Sequence, residues 1–205
     1  MPSSKEHWER IYSSKAEDQL SWFQPYPRTS VAFIELFDLP QDANIIDIGG
    51  GESRFVDVLL EKGYKNIYVL DISEKAIELS KKRLKEKAGL VHWIISDIAD
   101  FTTGVKFDFW HDRAAFHFLT SEKIIDHYVS LAENHIRPEG YLVLGTFSER
   151  GPTQCSGLEI KQYNDMSMSL RFEKGFERIK CITEKHITPS KNIQEFLFCS
   201  FRKKF

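Results

Sequence analysis

The sequence has 205 residues, enough for one domain with an ordinary core or one with a modest extension. Hydrophobic residues at 41% and charged residues at 28% predict a packed interior and exclude disorder. A formal net charge of −2 gives no overall electrostatic case for nucleic acid or an anionic membrane as partner. The local basic runs, Lys81-Lys82-Arg83 and Arg202-Lys203-Lys204, read as a solvated helix face and a frayed terminus. Cys155, Cys181 and Cys199 show neither CxxC spacing nor a disulfide framework, which points to a reducing compartment. The opening MPSSKEHWER lacks the apolar stretch of a signal peptide, and no apolar run reaches membrane-spanning length. A cytoplasmic protein is the expectation.

In chain order, Ser3 and Glu6 fit a capping box before a helix with Trp8, Ile11 and Tyr12 on one face. SWFQPYPRTS, with its two prolines, is a loop, and SVAFIELF a short amphipathic helix. ANIIDIG reads as a buried strand and SRFVDVLLEKG as a helix stopped by Gly63. NIYVLDIS is the second strand, followed by a helix, SEKAIELSKKRLKEKAG, capped by Ser73 and ended by Gly89. LVHWIISDI and KFDFWHD are the third and fourth strands. SEKIIDHYVSLAENHI places Ile124, Tyr128, Leu131 and His135 on one helical stripe, and the turn RPEG introduces a fifth strand, GYLVLGTF. This alternation predicts a doubly wound, mostly parallel α/β sheet of Rossmann-like type with helices on both faces. The tail departs from it. FERIKCITEKHITP and NIQEFLFCSFRKK are joined by too short a turn for a parallel crossover, so they must pair as an antiparallel hairpin.

Chemistry concentrates where the strands end. In DIGGGESRF, Gly49, Gly50 and Gly51 allow a tight turn and close backbone approach to a ligand. Arg54 stands where a dinucleotide fingerprint needs a third glycine, which argues against a pyrophosphate held close to the helix. Asp47 is uncomfortable beside pyrophosphate but compatible with a ligand bearing an ammonium and a sulfonium. Asp71, with Ile72 beside it, closes the second strand at the place where an acid accepts hydrogen bonds from ribose hydroxyls; the alternative is a helix cap. Asp97 suits an adenine amino group and Ile98 the ring face, although an aspartate here also serves as a turn residue.

FWHDRAAFHF follows the fourth strand and opens at the carboxyl edge of the sheet. His111, Asp112 and Arg113 are costly to bury without partners, so they are either an internal salt bridge or cap, or active-site groups. The second reading puts Asp112 or Arg113, with His111 or His117, beside a ligand. ERGPTQCSGL follows the fifth strand, a loop that places Cys155 at the same edge. The seven histidines show no HxH or HxxxH pair, so no metal site is expected.

These stretches, IIDIGGGES, VLDIS, SDI, FDFWHDRAAFHFL and RPEGYLVLGTF, resemble class I S-adenosylmethionine-dependent methyltransferases from about Asn44 onward. The closing hairpin resembles that fold's last two strands, giving seven in all. The resemblance implies S-adenosyl-L-methionine as cofactor and S-adenosyl-L-homocysteine as product. It implies Asp47, Gly49, Gly50, Gly51 and His111 around the methionyl part, Asp71 on the ribose, Asp97 with Ile98 on the adenine, and Asp112 or Arg113, with His111 or His117, near the acceptor. Ser53 stands where the family often has a further glycine, a position that tolerates small residues. HWERIY and LSWFQ are similar to segments that precede the core in thiopurine-type S-methyltransferases and eukaryotic protein-lysine methyltransferases. Residues 1–40 would then form a lid over a 41–205 core within a single domain, with Trp22 and Phe23 lining the acceptor pocket. DR followed by small residues is similar to the thiopurine type, where the arginine faces substrate. The first reading is therefore methyl transfer to a small-molecule sulfur or nitrogen acceptor, the second protein-lysine methylation. An NAD-linked oxidoreductase would want a Tyr-x-x-x-Lys pair, yet Tyr128 is followed four residues on by Ala132. A non-catalytic cofactor-binding protein is the remaining class.

Overall fold

The computed structural model describes residues 4–205, and Ser3 of the expected capping box lies outside them. Five short apolar runs become the parallel strands β1 (Asn44–Ile48), β2 (Asn66–Asp71), β3 (Val91–Ile95), β4 (Phe107–Arg113) and β5 (Ile136–Phe147). A two-stranded ribbon, β6 (Gln154–Cys155) and β7 (Leu158–Glu159), follows, and then the long hairpin β8 (Phe176–Ile187) and β9 (Ile193–Lys203). The main sheet runs β3-β2-β1-β4-β5-β9-β8, with β9 antiparallel to both neighbours. The chain leaves β1 toward β2 on one side and returns to β4 on the other. That reversal opens a crevice at the carboxyl ends of β1 and β4, where ligands bind in such sheets.

Side chains alternate across the strands, so the sheet carries two cores. Ile46, Ile48 and Trp110 pack on one face with Tyr128, Leu131, Met168 and Phe172. Ile45, Val69 and Phe109 pack on the other with Val31, Phe55, Leu59 and Ile77. The first group of helical residues comes from α5 (Glu122–His135) and α6 (Asp165–Phe172), the second from α2 (Arg28–Leu36), α3 (Phe55–Glu61) and α4 (Glu74–Leu84). The first helix, α1 (Ser4–Ser14), joins a smaller cluster containing Tyr12, Leu20 and Ala76.

Local expectations need four corrections. The helix α4 ends at Leu84 rather than Gly89, because Lys85 takes φ +54° and the chain continues as a 3-10 turn. Ile124 is 39% exposed, and Ile125 occupies the buried stripe of α5 instead. RPEG is not a free turn: β5 runs through it, with Glu139 at φ +68° beside a register shift against β4. Cys181 and Cys199 face each other across β8 and β9, Cα atoms 4.1 Å apart, and form a disulfide. No sequence spacing announces this, since only the register of the hairpin makes them opposite. The helix α6 is absent from the sequence reading, and Asn164 and Ser167 cap it reciprocally.

Candidate active site

At the carboxyl edge of β1, β2 and β4 lies a cavity of about 420 Å³, bordered by Gly49, Asp71, Ile72, Asp97, Ile98, Asp112 and Arg113. The glycine turn at its floor is shaped by two carboxylates. A Cβ on Gly50 would stand 2.5 Å from Asp47 Oδ2, and one on Gly51 2.5 Å from Asp71 Oδ2. Gly49 takes φ +64°, the left-handed region, and lies against Ala115.

Asp71 is held from both sides by the backbone: Gly51 N–H donates to Oδ2 at 3.0 Å and Ser73 N–H to Oδ1 at 2.8 Å. Burial raises its pKa to about 6, opposed by those two hydrogen bonds. The cap of α4 is Ser73, whose Oγ accepts from Ala76 N–H. Asp97 is half-buried and its Oδ1 accepts from Ala99 N–H, while Ile98 packs against the core below the cavity.

The HDR triplet is divided by the strand. Asp112 Oδ1 accepts from Ala115 and Phe116 N–H, and its Oδ2 accepts from Tyr128 Oη at 2.8 Å. Asp112 thus caps the turn after β4, and burial raises its pKa to about 6. Arg113 points to the opposite face, donates from Nη1 to Trp22 O at 2.9 Å, and lies 4.8 Å above the Phe196 ring. Its Nε and Nη2 have no partner, and burial lowers its pKa to about 10. No Asp112–Arg113 salt bridge forms, because neighbouring residues on a strand point apart.

His111 is not on the wall of the large cavity. It sits behind Asp47 and borders only a second cavity of about 50 Å³ beside the glycine turn. His117 borders neither cavity: it is fully buried, its Nδ1 accepts from Phe147 N–H, and burial followed by the nearby Arg113 lowers its pKa to about 3. Phe23 borders the smaller cavity, Trp22 both, and Cys155 the larger.

The N-terminal segment closes the top. Trp8 meets Trp22 edge-on at 5.7 Å and Phe118 at 5.0 Å, and Tyr12 meets Trp22 at 6.2 Å, forming an aromatic wall. Polar ties fasten it to the core. Glu9 accepts from Glu74 and Lys75 N–H at the start of α4, and Arg54 pairs with Glu17 through two nitrogens. His186 Nε2 lies 2.7 Å from Ser21 O, and Gln24 donates to Glu184.

The glycine turn, three strand-end acids and closing hairpin form one constellation, and residues 39–193 match the family described as a methyltransferase domain. The chain belongs to that family. It is a class I S-adenosylmethionine-dependent methyltransferase. Among curated proteins it is 24% identical over 197 residues to human (Homo sapiens) EEF1A lysine methyltransferase 2, covering 86% of this chain and 75% of that one. It is 33% identical over 99 residues to the mouse (Mus musculus) EEF1A lysine methyltransferase 2; that match covers 42% of this chain and only 38% of the relative. In fold it is similar to the N-methyltransferase NodS from Bradyrhizobium japonicum WM9 in complex with S-adenosyl-L-homocysteine. The TM-score is 0.72 at 15% identity, covering 98% of this chain and 99% of that one.

The methyltransferase's residues fit S-adenosylmethionine on their own geometry. The buried Asp47 Oδ2 has no partner, the glycine cradle has no room for a Cβ, and Asp71 carries lone pairs beyond those its backbone donors use. Sequence reading missed Glu9, Ser30, Phe118, Tyr128 and Leu158 as part of the site or its support. Phe118 and Tyr128 were readable as core aromatics only, and nothing local marks Glu9 or Ser30. Among the described residues, no three His, Cys, Asp or Glu side chains gather to hold a metal, and no helix is long and apolar enough to cross a membrane.

Proposed function

We propose that this methyltransferase transfers a methyl group to a small-molecule sulfur or nitrogen acceptor. The observation that carries the acceptor class is Arg113. The residue borders both cavities, its Nε and Nη2 are buried without a partner, and Glu184 and Asp47 act on its charge without forming an ion pair with it. A fixed, poorly solvated positive charge there favours a thiolate or neutral amine and repels an ammonium.

We assign Asp71 to the ribose hydroxyls, Asp97 and Ile98 to the adenine, and Asp47 with Gly49–Gly51 to the methionyl end. When bound, S-adenosylmethionine supplies an electrophilic methyl group on a sulfonium with a good leaving group. What remains for the chain is to hold the reactants in line and exclude water, and much of the acceleration of a displacement comes from that alignment. Trp8, Tyr12, Trp22 and Phe118 would form the water-excluding wall, and Arg113 would keep a thiol acceptor ionised. Asp112 spends both oxygens on backbone and tyrosine donors, so we give it the role of fixing the turn that carries Ala115 and Phe118. Cys155 and Leu158 would border the acceptor. Within one domain we assign the covering role to the segment before α2, because Val31, Phe33 and Ile34 of α2 are packed into the sheet core.

Protein-lysine methylation is the second reading, favoured by the similarity to the two lysine methyltransferases and by an aromatic wall suited to an alkylammonium. A transfer assay with methyl-labelled donor over thiols, amines and cell-lysate protein separates the two. Label in a thiol or small amine is expected. Label confined to a protein band would overturn the first reading.

A further inference from the structure

We infer that Ser30 and His111 are positioning residues for Asp47, a buried chain that aims its carboxylate at the α-ammonium of the donor's amino-acid end. The inference rests on the donor assignment above. Asp47 on β1 and His111 on β4 are directly paired in register, so their side chains leave the sheet on the same face. His111 Nδ1 lies 2.6 Å from Asp47 Oδ1, and Nε2 lies 2.8 Å from Ser30 Oγ on α2. All three residues are at most 2% exposed. The rings of Phe55 and Phe109 flank the imidazole at 4.4 and 6.3 Å, which prevents it from turning to water.

A carboxylate oxygen accepts, so Nδ1 is the donor to Asp47, and in the neutral imidazole Nε2 then accepts from the Ser30 hydroxyl. This arrangement consumes one carboxylate oxygen and leaves the other idle. Asp47 Oδ2 is buried without a partner beneath Gly50, beside the small cavity that Arg113 and Tyr12 also border. An unpartnered buried carboxylate oxygen is expensive for the fold alone, and a cationic donor arriving from the cavity offsets that cost. Without His111 the carboxylate could rotate, and the oxygen facing the cavity would no longer be fixed. Ser30 extends the same constraint to α2, which follows directly on the covering segment. His111 therefore contacts no reacting atom; it acts through Asp47.

The test compares S-adenosylhomocysteine with 5′-methylthioadenosine, which keeps the adenosine and sulfur but lacks the amino-acid end, by calorimetry. His111→Leu is expected to weaken S-adenosylhomocysteine by about tenfold or more, the scale of a charge-assisted hydrogen bond, and to leave methylthioadenosine within about twofold. His111→Asn, whose amide N–H replaces the Nδ1 donor, should recover most of the loss. Ser30→Ala should show the same selectivity at about threefold, in the range of a neutral hydrogen bond, which keeps the inference testable if His111→Leu fails to fold. Equal losses for both ligands, or an unchanged S-adenosylhomocysteine affinity in His111→Leu and Ser30→Ala, would overturn it. Wild-type protein that binds neither ligand would instead sink the donor assignment itself.

Discussion

Asp71 is fixed before any ligand arrives, by one N–H from the glycine turn and one from the start of the next helix. Because burial raises its pKa to about 6, it is the ionised form that burial disfavours and that ribose hydroxyls would stabilise. The sign follows. Stability contributed by the raised pKa is present in acid and lost as pH rises through about 6, whereas donor affinity moves the other way. S-adenosylhomocysteine should therefore bind more weakly as pH falls through about 6, and Asp71→Asn should weaken it by about tenfold or more at pH 8 and flatten that inflection. A pH profile unchanged by the substitution would contradict the assignment. Asp71 is marked in the sequence by its distance from the glycines. The surroundings of His111 are not, because linear adjacency hides which way a strand's side chains point: in H-D-R the middle residue faces one layer, the outer two the other.

Among the elements, α1 and α4 are joined by a contact that neither helix's own sequence reveals. Glu9 of α1 satisfies two of the orphan N–H groups at the start of α4, in distances of 2.6 and 3.2 Å, and its charge complements the positive end of that helix. Glu9→Ala is expected to cost about 1 kcal/mol in urea unfolding, the scale of a lost N-terminal cap, and to expose the α1 segment to proteolysis before the core unfolds. Cleavage in the N-terminal segment no faster than in wild type would argue that this tie is unimportant. The strands and longer helices were legible from apolar periodicity and caps such as Ser73. The helix α6 was not, since only Met168 and Phe172 of its eight residues are buried and its Asn164 cap sits in what reads as loop. Arg54, read from sequence as a misfit for a dinucleotide turn, pairs in the tertiary structure with Glu17.

For the molecule as a whole, the hairpin of β8 and β9 completes the sheet and carries its one cross-link among the described residues, Cys181–Cys199, across 18 positions of chain. Closing a loop of that size restricts the unfolded chain by about 3 kcal/mol in the chain-entropy account. Oxidised wild type should thus unfold at higher urea than Cys181→Ala, and the reduced protein should match the variant; equal midpoints for oxidised and reduced protein would show that the bond contributes nothing. Fold class was legible because an antiparallel tail after alternating strands and helices leaves few topologies, but the cysteine pairing depends on register, which the turn sets. That same topology imposes an order on synthesis. β9 is the last of the seven strands to be made, yet it sits inside the sheet between β5 and β8. On the ribosome, β5 must wait with an open edge and β8 has no neighbour until β9 emerges. Both hydrogen-bonding gaps are then filled in one late step, so a nascent chain halted before Ile193 leaves the β5 edge open and β8 without a partner, for chaperones to guard.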